Sequence, residues 1–264
     1  MNQLANRRAI VIGASRGLGR GVAEAFLAEA ASVVAVARDT SPLSELAASH
    51  KNLQLEAADA NDPAVPGKLL RQYRPEIVAL VAGAAPSLRP LHQQTWESFS
   101  TNWNADVRMT FNWLREVLLL PLPAGSQVIV MSSGAAVMGS PLSGGYAGAK
   151  ATQRFMADYA AQEARRGKLQ ITVSAVMPKL TPLTDLGKAA TVAYADRMGI
   201  TEAEYLRQLG EPVTPQVAGR AFVSLATGGM PAGAYMLTAD GLLPPPGAPP
   251  VERPEASPAF KKER

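Results

Sequence analysis

The fold of this 264-residue chain is decided by residues 9–19, which read AIVIGASRGLG. The four apolar residues 9–12 predict a buried strand, and the glycines after them predict a tight turn into a helix from about Leu18 to Ala30. Glycine lets the main chain approach a bound group closely, and a helix N-terminus offers N–H groups and the positive end of a dipole. Strand, turn and helix together predict a cradle for a phosphate-bearing ligand.

Short apolar runs alternate with longer helical patterns along the rest of the chain. The further predicted strands are Ser32–Ala37, Leu53–Ala57, Ile77–Val81, Gln127–Met131, Leu169–Val176 and Ala234–Leu237. The predicted helices are Leu43–His50, Ala64–Gln72, Trp96–Leu120, Tyr146–Arg166 and Pro215–Thr227. Because the strands are apolar throughout, they predict a parallel sheet covered by helices on both faces. The fold class is therefore α/β, a single-domain, Rossmann-like, doubly wound parallel sheet.

Composition limits the classes of function. The net charge is +4, but no basic stripe interleaved with aromatic residues accompanies it, so nucleic acid is not expected as a partner. The chain has no cysteine and only two histidines, and no carboxylate cluster has ligand spacing, so we expect no catalytic metal. The uncharged run Val117–Ala149 is interrupted by proline and glycine, which favours a buried strand and a loop over a membrane span. We expect a cytoplasmic protein.

The chain is expected to form one domain over residues 1–243, followed by a tail at residues 244–264. Seven of those last 21 residues are prolines, so the tail cannot form a helix or a central strand and is predicted to be extended or disordered. A partner-binding arm is the alternative interpretation of the same composition.

Tyr146 and Lys150 are four residues apart in a predicted helix and therefore share one face. A free phenol transfers protons poorly at neutral pH, because its pKa is ~10. A positive charge about 4 Å away stabilises a phenolate by roughly 4 kcal/mol at an effective dielectric constant of about 20. The spacing thus predicts a tyrosine that works as acid and base, although the pair alone occurs in many helices by chance.

The end of the second predicted strand bears on which nicotinamide dinucleotide is bound. An acid at this place would hold the ribose hydroxyls of NAD, but the chain has Ala37 followed by Arg38. Arg38, with Arg16 in the glycine turn as a second cation, offers a guanidinium for a 2′-phosphate. The sequence therefore predicts NADP(H) and makes NAD(H) less favoured. Asp39 leaves an alternative open, since it can pair with Arg38 or turn toward the ribose.

The glycine turn, Ser133, Tyr146 and Lys150 together resemble the short-chain dehydrogenase/reductase family, over roughly residues 8–241. The resemblance implies a seven-stranded parallel sheet. It also implies that Tyr146 is the general acid in carbonyl reduction and the base in alcohol oxidation, and that Lys150 hydrogen-bonds the nicotinamide ribose. Ser133, thirteen residues before Tyr146, would hold the substrate oxygen; Ser132 is the neighbouring alternative.

Further site residues come from the same resemblance. Asn104 matches the family asparagine that holds a proton-relay water, and Asn102 is the alternative. Asp59 resembles the acid that contacts the adenine amine, although it can equally cap a helix. The expected cofactor-binding residues are Gly13, Ser15, Arg16, Gly17, Leu18, Gly19, Arg38, Asp59, Ala60, Ala82, Gly83, Tyr146, Lys150 and Pro178.

The sequence departs from the family pattern at two places that lie side by side in the family. Ile12 stands where the family has threonine, and residues 82–85 read AGAA where the family has Asn-Asn-Ala-Gly. The two replacements are expected to occur together. If only one of the two polar side chains were lost, the other would be buried without a hydrogen-bond partner, at a cost of about 1–3 kcal/mol. We interpret this as structural divergence with cofactor binding retained.

The loop after the sixth predicted strand is altered as well. Pro178 is followed by Lys179 where the family often has glycine, and Thr181 or Thr184 can still reach the cofactor; the sequence does not choose between them. Residues 180–211 fall where the family carries its substrate lid. Because a lid determines which substrate is accepted, this segment is expected to set the substrate specificity.

The leading hypothesis is an NADP(H)-dependent oxidoreductase that interconverts a carbonyl and an alcohol. A Ser-Tyr-Lys relay with an asparagine would move the proton, and reduction is the expected direction. We expect a small-molecule substrate and a homo-oligomer, either a dimer or a tetramer. The alternative is a dinucleotide-binding sensor or scaffold without turnover. An epimerase or dehydratase on nucleotide-sugars would need a larger C-terminal substrate domain than this chain holds.

Overall fold

A computed structural model describes residues 2–120 and 122–247 of the chain. The strands of these residues form one sheet in the order β3-β2-β1-β4-β5-β6-β7-β8. Their bounds are β1 Arg8–Ile12, β2 Ser32–Ala37, β3 Leu53–Ala57, β4 Ile77–Leu80, β5 Gln127–Met131, β6 Thr172–Pro178, β7 Ala234–Thr238 and β8 Gly241–Leu243. Strands β1 to β7 are parallel, and β8 runs antiparallel to β7. The predicted doubly wound α/β sheet is confirmed.

Helices cover both faces of the sheet. Their bounds are α1 Gly17–Ala28, α2 Ser44–Ser49, α3 Ala64–Tyr73, α4 Trp96–Asn102, α5 Arg108–Leu119, α6 Ala135–Met138, α7 Gly144–Arg166, α8 Asp185–Met198, α9 Glu202–Leu209 and α10 Pro215–Ala226. The chain leaves β1 toward β2 and β3 and then returns to the other side of β1 to form β4. The order of the sheet therefore reverses between β1 and β4, which opens a crevice at the carboxyl ends of these two strands.

Alternate residues of the buried strands supply two separate cores. On one face, Val11 packs in a cluster with Phe26 of α1 and Phe222 of α10. On the other face, Ile12 belongs to a cluster with Trp113 of α5. Since β1 is buried on both sides, its sequence is apolar without alternation, as parallel strands require.

The helix predicted at Trp96–Leu120 is interrupted by a π-type turn at Trp103–Val107, between α4 and α5. Side chains from other elements hydrogen-bond main-chain carbonyls of this turn. Gln153 of α7 donates to the Asp106 carbonyl at 3.2 Å, and Asn61 donates to the Asn104 carbonyl at 3.0 Å. Such turns add a residue to the helix and often occur at functional sites. Here the turn rearranges the side chains that face α7.

Three further features differ from the sequence prediction. Strand β8 adds an eighth strand where seven were expected, and it is too short to show in the hydrophobic pattern. Strand β6 begins at Thr172 and not at Leu169, because Lys168 and Gln170 adopt positive φ angles of 52° and 54°. The segment predicted to be a lid contains two helices, α8 and α9.

Residues 248–264 lie outside the described residues, so disorder of the proline-rich tail stays a prediction, as does the division into residues 1–243 and a tail. Within residues 2–120 and 122–247, no helix is both long enough and apolar enough to cross a lipid bilayer.

Candidate active site

A cavity of about 950 Å³ opens in the crevice at the carboxyl ends of the strands. Loops that follow β1, β2, β3, β4, β5 and β6 form its walls, and the predicted lid segment lines it as well. Its size lies at the upper end of the range of roughly 300–1,000 Å³ that is usual for small-molecule and cofactor sites. All the predicted cofactor-binding residues line this cavity: Gly13, Ser15, Arg16, Gly17, Leu18, Gly19, Arg38, Asp59, Ala60, Ala82, Gly83, Tyr146, Lys150 and Pro178.

The glycine turn packs against the loop after β4 without space for side chains. Gly13 has a φ of +86°, and a Cβ atom there would lie 2.6 Å from the Cα of Ala82. A Cβ atom at Gly19 would lie 2.1 Å from the Gly13 carbonyl oxygen. Helix α1 has no side-chain cap and no acidic residue in its first turn, so its N-terminal N–H groups remain available to an anion. The turn therefore fits the pyrophosphate of a dinucleotide.

The apolar replacements at Ile12 and Ala82 are joined by main-chain hydrogen bonds. The N–H groups of Val81 and Ala82 both donate to the carbonyl of Ile12, at 3.0 and 2.9 Å. These bonds hold the two loops together where the family uses polar side chains. The main chain itself therefore joins the two loops of the cradle.

Arg38 follows β2 and lines the cavity; it is exposed, and no ion pair involves it in the described part of the chain. The neighbouring Asp39 instead accepts a hydrogen bond from the Ser41 N–H at 2.9 Å. Hydrogen bonds from Ser41, first its side chain and then its main chain, lower the pKa of Asp39. Asp59 accepts from the Asn61 N–H at 3.0 Å and so shapes the turn after β3.

Arg16, the second predicted cation, makes an ion pair with the lid. Its Nη1 atom lies 2.9 Å from Oδ2 of Asp185, the first residue of α8. The two side chains are 79% and 69% exposed, so the pair contributes little to stability. The pair instead connects the glycine turn to the first residue of α8 and so holds these two segments next to each other.

Ser133, Tyr146 and Lys150 come together on one wall of the cavity. Tyr146 and Lys150 project from α7, and the Lys150 Nζ lies 5.5 Å from the centroid of the Tyr146 ring. Ser133 follows β5, and its Oγ accepts from the Ala135 N–H at 3.2 Å. The neighbouring Ser132 is buried, and its hydroxyl donates to the Lys150 carbonyl at 2.7 Å, so this side chain fixes α7 against β5.

Asn102 and Asn104 differ in burial, and neither of them lines the cavity. Asn104, which the sequence analysis preferred, is exposed and does not line the cavity. Asn102 is 1% exposed, and its amide donates to the Ala84 carbonyl at 2.8 Å and to Oδ2 of Asp106 at 3.3 Å. The π-type turn that follows Asn102 accounts for this difference in burial, and the role of Asn104 as the relay asparagine stays a prediction.

Asp106 lies beside the catalytic candidates, although the sequence analysis does not single it out. Its side chain is fully buried, and Oδ2 lies 3.1 Å from the Lys150 Nζ. Its Oδ1 accepts from the Ala84 N–H at 2.7 Å. The sequence does contain a signal for it: Asn102, Asp106 and Thr110 recur every fourth residue, a spacing that indicates one shared helix face. In the structure all three residues are buried.

The predicted lid segment, residues 180–211, lies next to the glycine turn and lines the cavity. Thr184 caps α8 by accepting from the Gly187 N–H at 3.1 Å, and its methyl group would lie 3.3 Å from a Cβ atom on Gly17. Tyr194 and Tyr205 stack with ring centroids 6.2 Å apart, and the Tyr194 hydroxyl contacts the hydroxyl of Ser140. Burial, and then the neighbouring Tyr194, raise the pKa of Tyr205. Tyr205 is therefore a neutral phenol at pH 7.

In the described residues, no group of three or more histidine, aspartate or glutamate side chains is placed to hold a metal ion.

Comparison with known proteins identifies the family. The sequence model of the short chain dehydrogenases matches residues 7–194, which is more than half of the chain. Together with the doubly wound sheet and the glycine cradle, this match shows that the chain belongs to the short-chain dehydrogenase family.

Relatives within this family carry the name L-xylulose reductase. The protein from Bos taurus is 27% identical over 190 residues, which cover 71% of this chain and 77% of that protein. The protein from Mesocricetus auratus is 27% identical over 179 residues, or 68% of each chain. The protein from Homo sapiens is 30% identical over 105 residues, which cover 40% of this chain and 43% of that protein.

The close approach at Gly13 can be tested by substitution with alanine. Gly13→Ala should weaken binding of NADPH at least about tenfold and lower the unfolding temperature, because the new methyl group adds overpacking of about 1–3 kcal/mol to the cost of positive φ. Gly125→Ala is the matched control: its φ is +83°, but nothing lies within 4 Å of the added Cβ. Fluorescence titration and thermal unfolding measure both effects. Equal losses in the two variants would show that backbone strain alone matters.

Proposed function

We propose that this chain is an NADP(H)-dependent oxidoreductase that interconverts a carbonyl and an alcohol and works as a reductase. The observation that carries the proposal is the shared cavity: the glycine cradle forms one part of it, and Ser133, Tyr146 and Lys150 line the wall near the lid. Membership of the short-chain dehydrogenase family and relatives named as reductases support an oxidoreductase.

The residues that would hold the cofactor follow the length of the cavity. The glycine turn and the N-terminus of α1 would bind the pyrophosphate, Arg38 the 2′-phosphate, and Lys150 the nicotinamide ribose. A bound nicotinamide supplies the hydride that reduces the carbonyl carbon. Thr184 lies over Gly17, so it is the better placed of the two lid threonines to reach the phosphates, while Thr181 is buried.

The chain's own residues would handle the oxygen of the substrate. Tyr146 donates its proton to the carbonyl oxygen as this oxygen gains negative charge, and it takes the proton back in alcohol oxidation. Ser133 holds the same oxygen by a hydrogen bond, and the Lys150 ammonium stabilises the phenolate. Asn102 takes the place of the relay asparagine, because it is the buried asparagine beside Lys150 and its partner Asp106.

The lid suggests which substrates to test first. It presents hydroxyl groups on Tyr194 and Tyr205, while Leu183 and Leu186 give apolar surface in the same cavity. Since the relatives are named L-xylulose reductase, a polyhydroxy ketone is the first candidate, and ketones with apolar side chains form the second panel.

Replacement of the proton donor tests the reaction. Tyr146→Phe should lower kcat about 100-fold or more and leave the Kd for NADPH within a few-fold, because it removes only the proton that is transferred. Tyr159→Phe is the control, since Tyr159 is exposed on the same helix. Absorbance at the reduced-nicotinamide band measures turnover. Equal rates in wild type and Tyr146→Phe would contradict the proton-transfer role, and NADPH binding without turnover of any ketone by wild type would favour the sensor.

Replacement of Arg38 tests the choice of cofactor. Arg38→Asp should shift the ratio of kcat/KM from NADPH toward NADH by about tenfold or more, because a charge-assisted hydrogen bond contributes about 1.5–3 kcal/mol. Arg197→Asp, an exposed change at the end of α8 and outside the cavity, should leave the ratio unaltered. An unaltered ratio in Arg38→Asp would show that the 2′-phosphate is held elsewhere.

We also propose that the chain forms homo-oligomers through α5 and α7. These two helices contact each other and expose a band of large apolar side chains: Phe111, Leu119, Phe155 and Tyr159 are 49–59% exposed. Phe155 and Tyr159 stack with ring centroids 6.3 Å apart. Aromatic residues on an exposed helical face are typical of an interface with a second copy.

The oligomer can be dissociated by charge. Phe155→Glu combined with Tyr159→Glu should reduce the mass measured by light scattering to that of a monomer, because two carboxylates would be buried without partners at the interface. Met198→Glu, an exposed position on the lid, is the control and should keep the wild-type mass. A monomeric wild type would refute the oligomer directly.

A further inference from the structure

The carboxylate of Asp106 has three polar partners. Oδ2 pairs with the Lys150 Nζ at 3.1 Å and accepts from the Asn102 amide at 3.3 Å, while Oδ1 accepts from the Ala84 N–H at 2.7 Å. The side chains of Asp106 and Lys150 are 0% and 5% exposed. Both charges are therefore removed from bulk water, and each depends on the other.

The loop after β4 makes room for this pair. A Cβ atom on Gly83 would lie 3.3 Å from both the Asp106 Oδ2 and the Lys150 Nζ, so a side chain longer than a methyl group would displace one of them. Gly83 belongs to the AGAA run, where the sequence departs from the family pattern. The glycine at this departure from the family pattern therefore leaves free the space that Asp106 and Lys150 occupy.

We propose that Asp106 is a positioning residue that acts through Lys150: it holds the ammonium beside Tyr146 and offsets part of its positive charge, so that Lys150 favours the Tyr146 phenolate less strongly than an unpaired ammonium would. This inference rests on the proposed oxidoreductase function. It adds to that function a carboxylate that sets the pH at which the relay works.

Few other charges compete with this effect. Helix α7 contributes Tyr146 and Lys150 to this region. The loop after β4, residues 81–86, contains no titratable side chain. The serines after β5 carry no charge, and Lys179 after β6 is exposed. Asp59 lines the same cavity from the turn after β3. Asp106 is the carboxylate that lies against Lys150.

The sign of the effect follows from charge. A carboxylate disfavours a phenolate nearby, so the loss of the Asp106 charge favours the Tyr146 phenolate. Alcohol oxidation needs the phenolate and therefore rises with pH. In Asp106→Asn, the pH of half-maximal kcat/KM for the alcohol should fall by about one unit or more, which is the size expected for one charge about 8 Å away at an effective dielectric constant of about 20.

The experiment measures kcat/KM for alcohol oxidation against pH, at saturating NADP, in wild type and three variants. Asp106→Asn and Asp106→Ser both remove the charge. The smaller serine leaves room for a water molecule beside Lys150, so it serves as the second neutral variant if the asparagine variant does not fold. Asp106→Glu keeps the charge, so it should keep the wild-type midpoint and lose only rate. Asp158→Asn removes an exposed carboxylate from α7 and should leave the midpoint unmoved.

A lower midpoint in the two neutral variants, with Asp106→Glu at the wild-type value, supports the proposal. A midpoint that stays or rises in the neutral variants overturns it, since the carboxylate then offsets nothing. Failure of the underlying function has a different signature: wild type itself shows no turnover with either nicotinamide dinucleotide.

Discussion

The main chain at Gly13 lies so close to Ala82 that no side chain fits between them. This contact joins the ends of β1 and β4, the two strands between which the order of the sheet reverses. Parallel strands present their carboxyl ends at one edge, so the loops that follow β1 to β6 face the same crevice. The glycine cradle, the wall with Tyr146 and the lid all take their positions from this arrangement.

A buried ion pair organises the opposite wall of the crevice. Burial of Lys150 would be costly without a partner, and Asp106 supplies one that is itself held by two hydrogen-bond donors. Such pairs seldom increase stability over apolar packing, but they fix which way each side chain points. The π-type turn before α5 is what brings Asp106 to that place.

The sequence was sufficient for the fold class, because the strand and glycine turn at residues 9–19 and the Tyr146–Lys150 spacing are local patterns. It was insufficient to decide which of the two asparagines is buried. A regular helix puts residues four apart on one face, but the choice between Asn102 and Asn104 depends on a turn whose carbonyls are bonded by side chains from elsewhere, Asn61 and Gln153. The lid helices carry threonine caps that the sequence displays, yet their position over the cavity comes from tertiary contacts.

The exposed ion pair between Arg16 and Asp185 makes the contact between the glycine turn and α8 sensitive to salt. It is the ion pair that connects the lid to the glycine turn within the described residues, and both partners are well solvated. At physiological ionic strength, mobile counterions screen charges beyond about 8 Å and compete for such solvated groups. Salt weakens a solvated pair of this kind, so residues 180–211 should separate from the glycine turn more readily as the ionic strength rises.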